Sequence, residues 1–369
     1  MLFEFFTINQ NLSILGVLFI SFICCWVVVR NSNLNRFTSG DPADVMSVQS
    51  MHTESTPRIG GVAVILVFFV GLIVNFEEIK LDLIFSIGAG FVVFCAGMCE
   101  DFRRDVSPRI RLFAGFASAG AAILLSSTVI NRLGLPQLDW AFGIPLFAIL
   151  FTLFWSAGFC HALNLIDGLN GFASGYAIAA TLGLLFIAWI NGVHDVALVA
   201  ALLTAALLGF SLLNWPHGKI FLGDAGAYAT GHIIAWLGII LMSRVPSVSG
   251  FSILLILFWP VAETGFTITR RRILKLPSDT PDRLHFPHLV ARSLGIFFRK
   301  KASDKVLNPL ATLLLIPFAA TPIVFGVLLW DHPVKALAAI LLFTTLFVST
   351  YVFGKSFFRH LRYSSRIQQ

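Results

Sequence analysis

The sequence predicts an all-α, polytopic transmembrane helical bundle of about eleven spans, and three observations predict it. Of its 369 residues 57% are hydrophobic and 12% charged, with mean hydropathy +0.85. A soluble domain is about 45–50% apolar and about 25% charged. Polar clusters divide the chain into apolar runs near the roughly 20 residues that a crossing helix needs. Basic residues are distributed unevenly between the connections.

The runs follow in order. Leu12–Val29 has no basic region before it and no small-residue cleavage site after it, so it reads as a retained span and not a signal peptide. Ile59–Phe76 begins after Pro57, which can start a helix, and Leu83–Met98 ends at Glu100-Asp101. Leu112–Ile130 follows a cluster of arginines, and Trp140–Phe159 and Phe172–Ile190 flank the stretch LNLIDGLNGFASG. Val196–Leu213 and Ala225–Met242 flank NWPHGKIFLGDAG. Phe251–Ile268 runs into Arg270–Arg272, and Leu310–Trp330 and Val334–Phe353 close the series. No soluble domain, internal repeat or low-complexity linker interrupts them, so residues 1–369 read as one integral-membrane unit. The five cysteines (Cys24, Cys25, Cys95, Cys99, Cys160) lie in or beside apolar runs without disulfide or zinc spacing.

If the runs alternate across a membrane, 22 Lys and Arg fall on one side and four (Lys80, Arg132, Arg244, Lys335) on the other. The positive-inside rule makes the richer side cytoplasmic, with the N-terminus outside and the C-terminus inside. The net charge of +7 is mostly this topological signal and gives no reason to expect a nucleic-acid partner.

Acids contribute little to topology, so their positions carry more information. Glu100, Asp101, Asp167 and Asp224 sit at the ends of three separate spans on the cytoplasmic side. Adjacent carboxylates such as Glu100-Asp101 repel, which suits a proton acceptor or a divalent cation. Arg103, Arg104, Arg109 and Arg111 follow at a density fit for phosphate, although topology alone also favours arginines there. Asp167 lies among Asn164, Asn170 and three glycines, Gly168, Gly171 and Gly175. Asp224, between Gly223 and Gly226, could cap a helix or hold a metal beside a diphosphate, with Lys219 in the same loop. In the longest connection His285 and His288 follow Asp282 and Arg283, without the companions that zinc requires. His52 and STPRIGG precede the second span, where Gly60-Gly61 could permit close helix packing and Arg58 could meet substrate.

From about Asp41 to Leu289 these motifs, in this order, resemble the polyprenyl-phosphate N-acetylhexosamine-1-phosphate transferases, glycosyltransferase family 4. The family's acid pair followed by LSPR matches Glu100-Asp101 with Val106–Arg109, and its N-x-x-D-G-x-D-G matches Asn164–Gly171. Its F-x-G-D-x-G matches Phe221–Gly226, its D-R-x-H-x-H-H matches Asp282–His288, and its H-x-x-x-x-P-R-x-G-G matches His52–Gly61. The chain departs in having Glu100 for an Asp, His161 for a frequent Asn, Asn170 for a second Asp, Pro287 for a histidine, Met51 for a basic residue and Glu263 for an Asp. The missing three-histidine run argues against the muropeptide branch.

The resemblance implies a reaction in which a polyprenyl phosphate attacks the β-phosphorus of a UDP-N-acetylhexosamine, with Mg²⁺ or alternatively Mn²⁺, and releases UMP. It implies Asp224 as metal ligand, joined by Asp167, and Asp101 with Glu100 as the pair that deprotonates or orients the lipid phosphate. Asp167, Asn164 and Asn170 would help bind the nucleotide and metal, and Arg283, His285 and His288 would contact the diphosphate or sugar; Lys219, whose glycine loop could meet a diphosphate, Arg58 and His52 are further substrate-binding candidates. The implied setting is the cytoplasmic face of a bacterial inner membrane, with undecaprenyl phosphate as acceptor, initiation of a surface polysaccharide as outcome and a homodimer left open. Two other readings remain at this point. A secondary transporter would place ionisable groups near the midplane, where the sequence offers Glu263 alone, and a membrane scaffold would need no chemistry at all.

Overall fold

In the computed structural model, residues 6–31, 56–103, 106–275, 285–298 and 302–367 are described. They are helical throughout, with no strand beyond an isolated bridge residue at Pro57. The helices are α1 (Ile8–Arg30), α2 (Gly60–Val74), α3 (Leu81–Gly88), α4 (Phe91–Arg103), α5 (Pro108–Ser126), α6 (Pro145–Leu165) and α7 (Phe172–Ile190). After them come α8 (His194–Asn214), α9 (Gly223–Arg244), α10 (Gly250–Ile256), α11 (Phe258–Ile273), α12 (Phe286–Phe297), α13 (Asp304–Leu328) and α14 (Pro333–Ile367). Local chemistry starts several of them. Thr7 and Gln10 form a reciprocal cap on α1, and the Ser107 hydroxyl accepts from the Ile110 amide with Pro108 in the first turn of α5.

Nine helices among the described residues are long and apolar enough to cross a membrane, α3 and α4 together forming one of them. They match nine of the eleven expected runs. A tenth run, Phe251–Ile268, is α10 and α11 bent by 81°. Pro260 explains the break: it is the third residue of α11, where a helix needs no amide donor. The remaining run, Ile59–Phe76, gives only the 15-residue α2.

α9 is the axis. Its apolar stretch is wholly buried although its mean hydropathy of 1.5 is well below the 2.7 of α1, which lies at the periphery. That inversion is expected in lipid, where small residues let backbones approach and the outermost helix needs the greasiest surface. Gly226, Gly231 and Gly238 line α9, and a Cβ at Gly231 would lie 2.8 Å from the backbone of Cys160 on α6. At the periphery α1 meets α8 through Gly209, where a Cβ would lie 2.4 Å from the Leu18 carbonyl, and through Ser21, whose hydroxyl donates to the Ala206 carbonyl.

The helix break between α3 and α4 frees carbonyls inside the apolar layer, and His232 of α9 takes one of them. Its Nε2 lies 2.8 Å from the Ser86 carbonyl, and its Nδ1 lies 2.9 Å from the Ser118 hydroxyl of α5, itself within reach of the Ala89 carbonyl. An unsatisfied buried group costs roughly 1–3 kcal/mol, and no water is at hand to relieve it in a bilayer. His232→Phe should therefore lower the thermal unfolding midpoint in detergent by several degrees. An unchanged midpoint would show that His232 is dispensable there.

The ends of the spans sort into two sets. Arg244 of α9 pairs with Asp195 and Asp82, at the starts of α8 and α3, at 2.7 and 2.6 Å. Arg132 donates to the Met242, Val245 and Val248 carbonyls at the C-terminal end of α9. The acids at the N-terminal end of α9 form the other set.

Candidate active site

Backbone pairing brings the first two motifs together. The Phe221 amide donates to the Pro57 carbonyl, and the Gly60 and Gly61 amides donate to the Phe221 and Leu222 carbonyls, at 2.9–3.0 Å. The glycines are required by this contact: a Cβ on Gly61 would lie 2.2 Å from both Gly226 Cα and the Leu222 carbonyl. The expected close packing is thus present, between α2 and α9. Arg58 is carried with it, its Nη2 3.7 Å from Asp224 Oδ1 and its Nε 3.9 Å from Asp101 Oδ1.

Asp224 stands in the first turn of α9. Arg111 of α5 donates to its Oδ2 at 2.5 Å and Asn164, in the last turn of α6, donates to its Oδ1 at 3.2 Å. Asp167 follows α6, close enough to feel both Arg58 and Asp224. Burial pushes its carboxyl up to about 7, Asp224 adds to the rise, and Arg58 opposes it. Glu100 accepts from the Val106 amide at 3.0 Å and lies 3.9 Å from Arg111, with a fifth of its side chain exposed.

Asp101 has a different surrounding. Its two oxygens accept from the Asp224 and Ala225 amides, each at 2.9 Å, and its side chain is fully buried. A carboxylate from α4 therefore caps α9, satisfying two orphan donors and complementing the positive end of the helix dipole. Of the acid pair, Glu100 reaches solvent and Asp101 anchors the turn that presents Asp224.

The two glycine-rich loops interlock away from this cluster. The Asn214 side chain accepts from the Gly171 amide and donates to the Ile220 carbonyl. Asn170 is buried there: its amide donates to the Asn308 side chain, its Nδ2 donates to the Pro216 carbonyl, and its carbonyl accepts from Thr312. The structure thus assigns Asn170 to loop architecture and does not place it with the carboxylates. Lys219 is exposed on the neighbouring loop, and among the described residues no ion pair joins it to the cluster.

His285 caps α12 and rests on Glu263 of α11, whose Oε1 lies 3.1 Å from its Nδ1 and accepts from the Phe286 amide at 3.0 Å. Glu263 is 1% exposed. Through Oε1 it caps a neighbouring helix, which gives a structural use to the acid on which the transporter reading drew. His288 lies one turn along α12, where a Cβ on Gly168 would come within 2.9 Å of its ring. Arg283 and His52 lie outside the described residues.

Sequence reasoning singled out Arg111 only as one of four arginines and passed over Tyr228. Tyr228 lies four residues after Asp224 on the same face of α9 and packs edge-on against His161 with ring centroids 4.9 Å apart. Spacing along α9 and α6 was the available signal, since His161 precedes Asn164 by three residues.

The family model for glycosyl transferase family 4 matches residues 83–242, which include both sides of this cluster. The chain is 30% identical over 252 residues to the probable undecaprenyl-phosphate N-acetylglucosaminyl 1-phosphate transferase of Bacillus subtilis (strain 168), covering 66% of this chain and 68% of that one. The chain belongs to glycosyl transferase family 4. A second relative is the undecaprenyl-phosphate alpha-N-acetylglucosaminyl 1-phosphate transferase of Salmonella typhi, 29% identical over 264 residues, with 68% of this chain and 69% of that one covered. A third is the phospho-N-acetylmuramoyl-pentapeptide-transferase of Staphylococcus saprophyticus, 29% identical over 297 residues, with coverage of 73% and 88%. This family-4 chain is therefore a multi-pass membrane protein of a sugar-phosphate transferase family.

Proposed function

We propose that the protein transfers N-acetylhexosamine 1-phosphate from a UDP-sugar to undecaprenyl or a similar polyprenyl phosphate, releasing UMP and initiating a cell-surface polysaccharide. The observation that carries this reading is the convergence of Glu100, Asp167 and Asp224 with Arg58, Arg111 and Asn164 from separate segments at one end of the bundle. Joining two anions requires positioning and charge neutralisation more than covalent chemistry. Arg58 and Arg111 would receive phosphate oxygens, Asn164 would orient Asp224, and His288 beside Gly168 would approach the same mouth. Arg283 and His52 enter this reading through the family resemblance. The distribution of basic residues supports a site facing the cytoplasm, and the resemblance to bacterial branches supports a bacterial inner membrane.

The donor set suits Mg²⁺. It offers hard carboxylate oxygens, and Asp167 and Asp224 are close enough to repel, so a cation between them would relieve both. Among the described residues no three His, Cys, Asp or Glu form a ready-made metal cage, which fits an ion that takes one or two carboxylates and completes its shell with phosphate and water. Asp224 and Asp167 would hold it, and when bound it would neutralise the donor diphosphate.

The absence of the three-histidine run from DRLHFPHLV disfavours a muropeptide donor, and a relative 30% identical over 252 residues bears an N-acetylglucosaminyl name, so UDP-N-acetylglucosamine is the first donor to test. The test is a panel of UDP-N-acetylhexosamines given to purified protein with undecaprenyl phosphate and Mg²⁺. UMP and a lipid-linked product are expected with at least one donor. UMP with none of them would overturn the reading.

A further inference from the structure

Arg111 pairs with the carboxylate that a cation on Asp224 would use. Its guanidinium is mostly buried, with 19% of the side chain exposed, and donates to Asp224 Oδ2 at 2.5 Å. The other carboxylate oxygen already has Asn164 at 3.2 Å and Arg58 at 3.7 Å. Mg²⁺ needs an oxygen lone pair at about 2.0–2.1 Å, and a guanidinium already resting on Oδ2 repels a second cation brought to the same carboxylate. Arg111 also has somewhere to go. Glu100 Oε1 lies 3.9 Å from the same nitrogen, and the buried Arg111 Nε has no hydrogen-bond partner. Guanidinium groups are strongly held by two-point contact with carboxylates, and here that contact is incomplete on both sides.

From this geometry we infer that Arg111 is the internal counter-ion of Asp224, which a divalent cation must displace toward Glu100 in order to bind. Arg111 is a positioning residue in this scheme, and the inference rests on the reading that Asp224 is a cation ligand. Its consequence is a site that resists free divalent cations and takes one readily only when a diphosphate adds further oxygens.

The experiment is a titration of the full-length protein in detergent with Mn²⁺ alone, free Mn²⁺ being followed by electron paramagnetic resonance without nucleotide. Arg111→Gln is expected to tighten Mn²⁺ binding by at least about tenfold, a change of about 1.4 kcal/mol. Arg111→Met, which also lacks the charge, serves if the Gln variant does not fold. Arg58→Gln, which removes an equal charge from the more distant neighbour of Asp224, should change the affinity by less than about threefold. An Arg111 effect no larger than the Arg58 effect would reduce Arg111 to general electrostatics and overturn the inference. Asp224→Asn should abolish Mn²⁺ binding. Retention of binding by that variant would instead remove the cation reading itself, and the inference with it.

Discussion

Asp101→Asn should lose turnover and thermal stability together, whereas Asp224→Asn should lose turnover alone. The difference follows from what each carboxylate touches. Asp101 accepts from two backbone amides with two oxygens, and an asparagine has one oxygen to offer, so its NH₂ would face an N–H. A hydrogen bond to a charged group contributes about 1.5–3 kcal/mol, and the variant also forfeits the dipole interaction. Asp224→Asn keeps a carbonyl that can accept from Arg111, Asn164 can turn its own amide oxygen toward the new NH₂, and repulsion from Asp167 is relieved. The substitution removes the charge needed at the reacting phosphates, for which losses of about 10²–10³ in rate are ordinary. UMP release and the unfolding midpoint, measured on the same preparations, separate the two. A wild-type midpoint for Asp101→Asn would show that the cap is not what makes Asp101 necessary.

Gly223→Ala should be as damaging as either acid substitution, although glycine has no chemistry to lose. Gly223 has φ +71°, and a Cβ there would lie 2.0 Å from the Arg58 carbonyl and 2.7 Å from Asp101 Oδ2. The left-handed conformation alone costs a non-glycine residue about 1–2 kcal/mol. The contact with a backbone carbonyl is worse, because relief requires the Arg58 segment to leave α9. Expected outcomes are a collapse in monodisperse yield or, in protein that survives, at least a hundredfold loss of UMP release. Gly88→Ala is the comparison, since a Cβ there meets nothing within 4 Å. It should behave as wild type, and equal damage at both positions would refute the steric argument.

The helices were legible because a crossing run is long and its charged punctuation is unambiguous. Their interruptions were harder to read. Pro260 signalled the bend after Leu257, but an unbroken apolar run from Phe251 concealed it. Asn75, which donates to the Gly71 carbonyl and the Ser13 hydroxyl, ends α2 earlier than hydropathy suggests. At the site, the gathering of Asp167, Asp224 and Glu100 followed from their shared side of the chain. The use of Asp101 and Glu263 as caps did not, because the amides they accept from lie 123 and 23 positions further along the chain. Asn170 is a related case. A polar residue between glycines looks the same in sequence whether it faces a ligand or ties two loops together.

The two ends of α9 are gripped by side chains it does not own, Asp101 at one and Arg132 at the other. Each grip satisfies backbone groups that a helix end leaves unpaired, so neither tip can fray without exposing them.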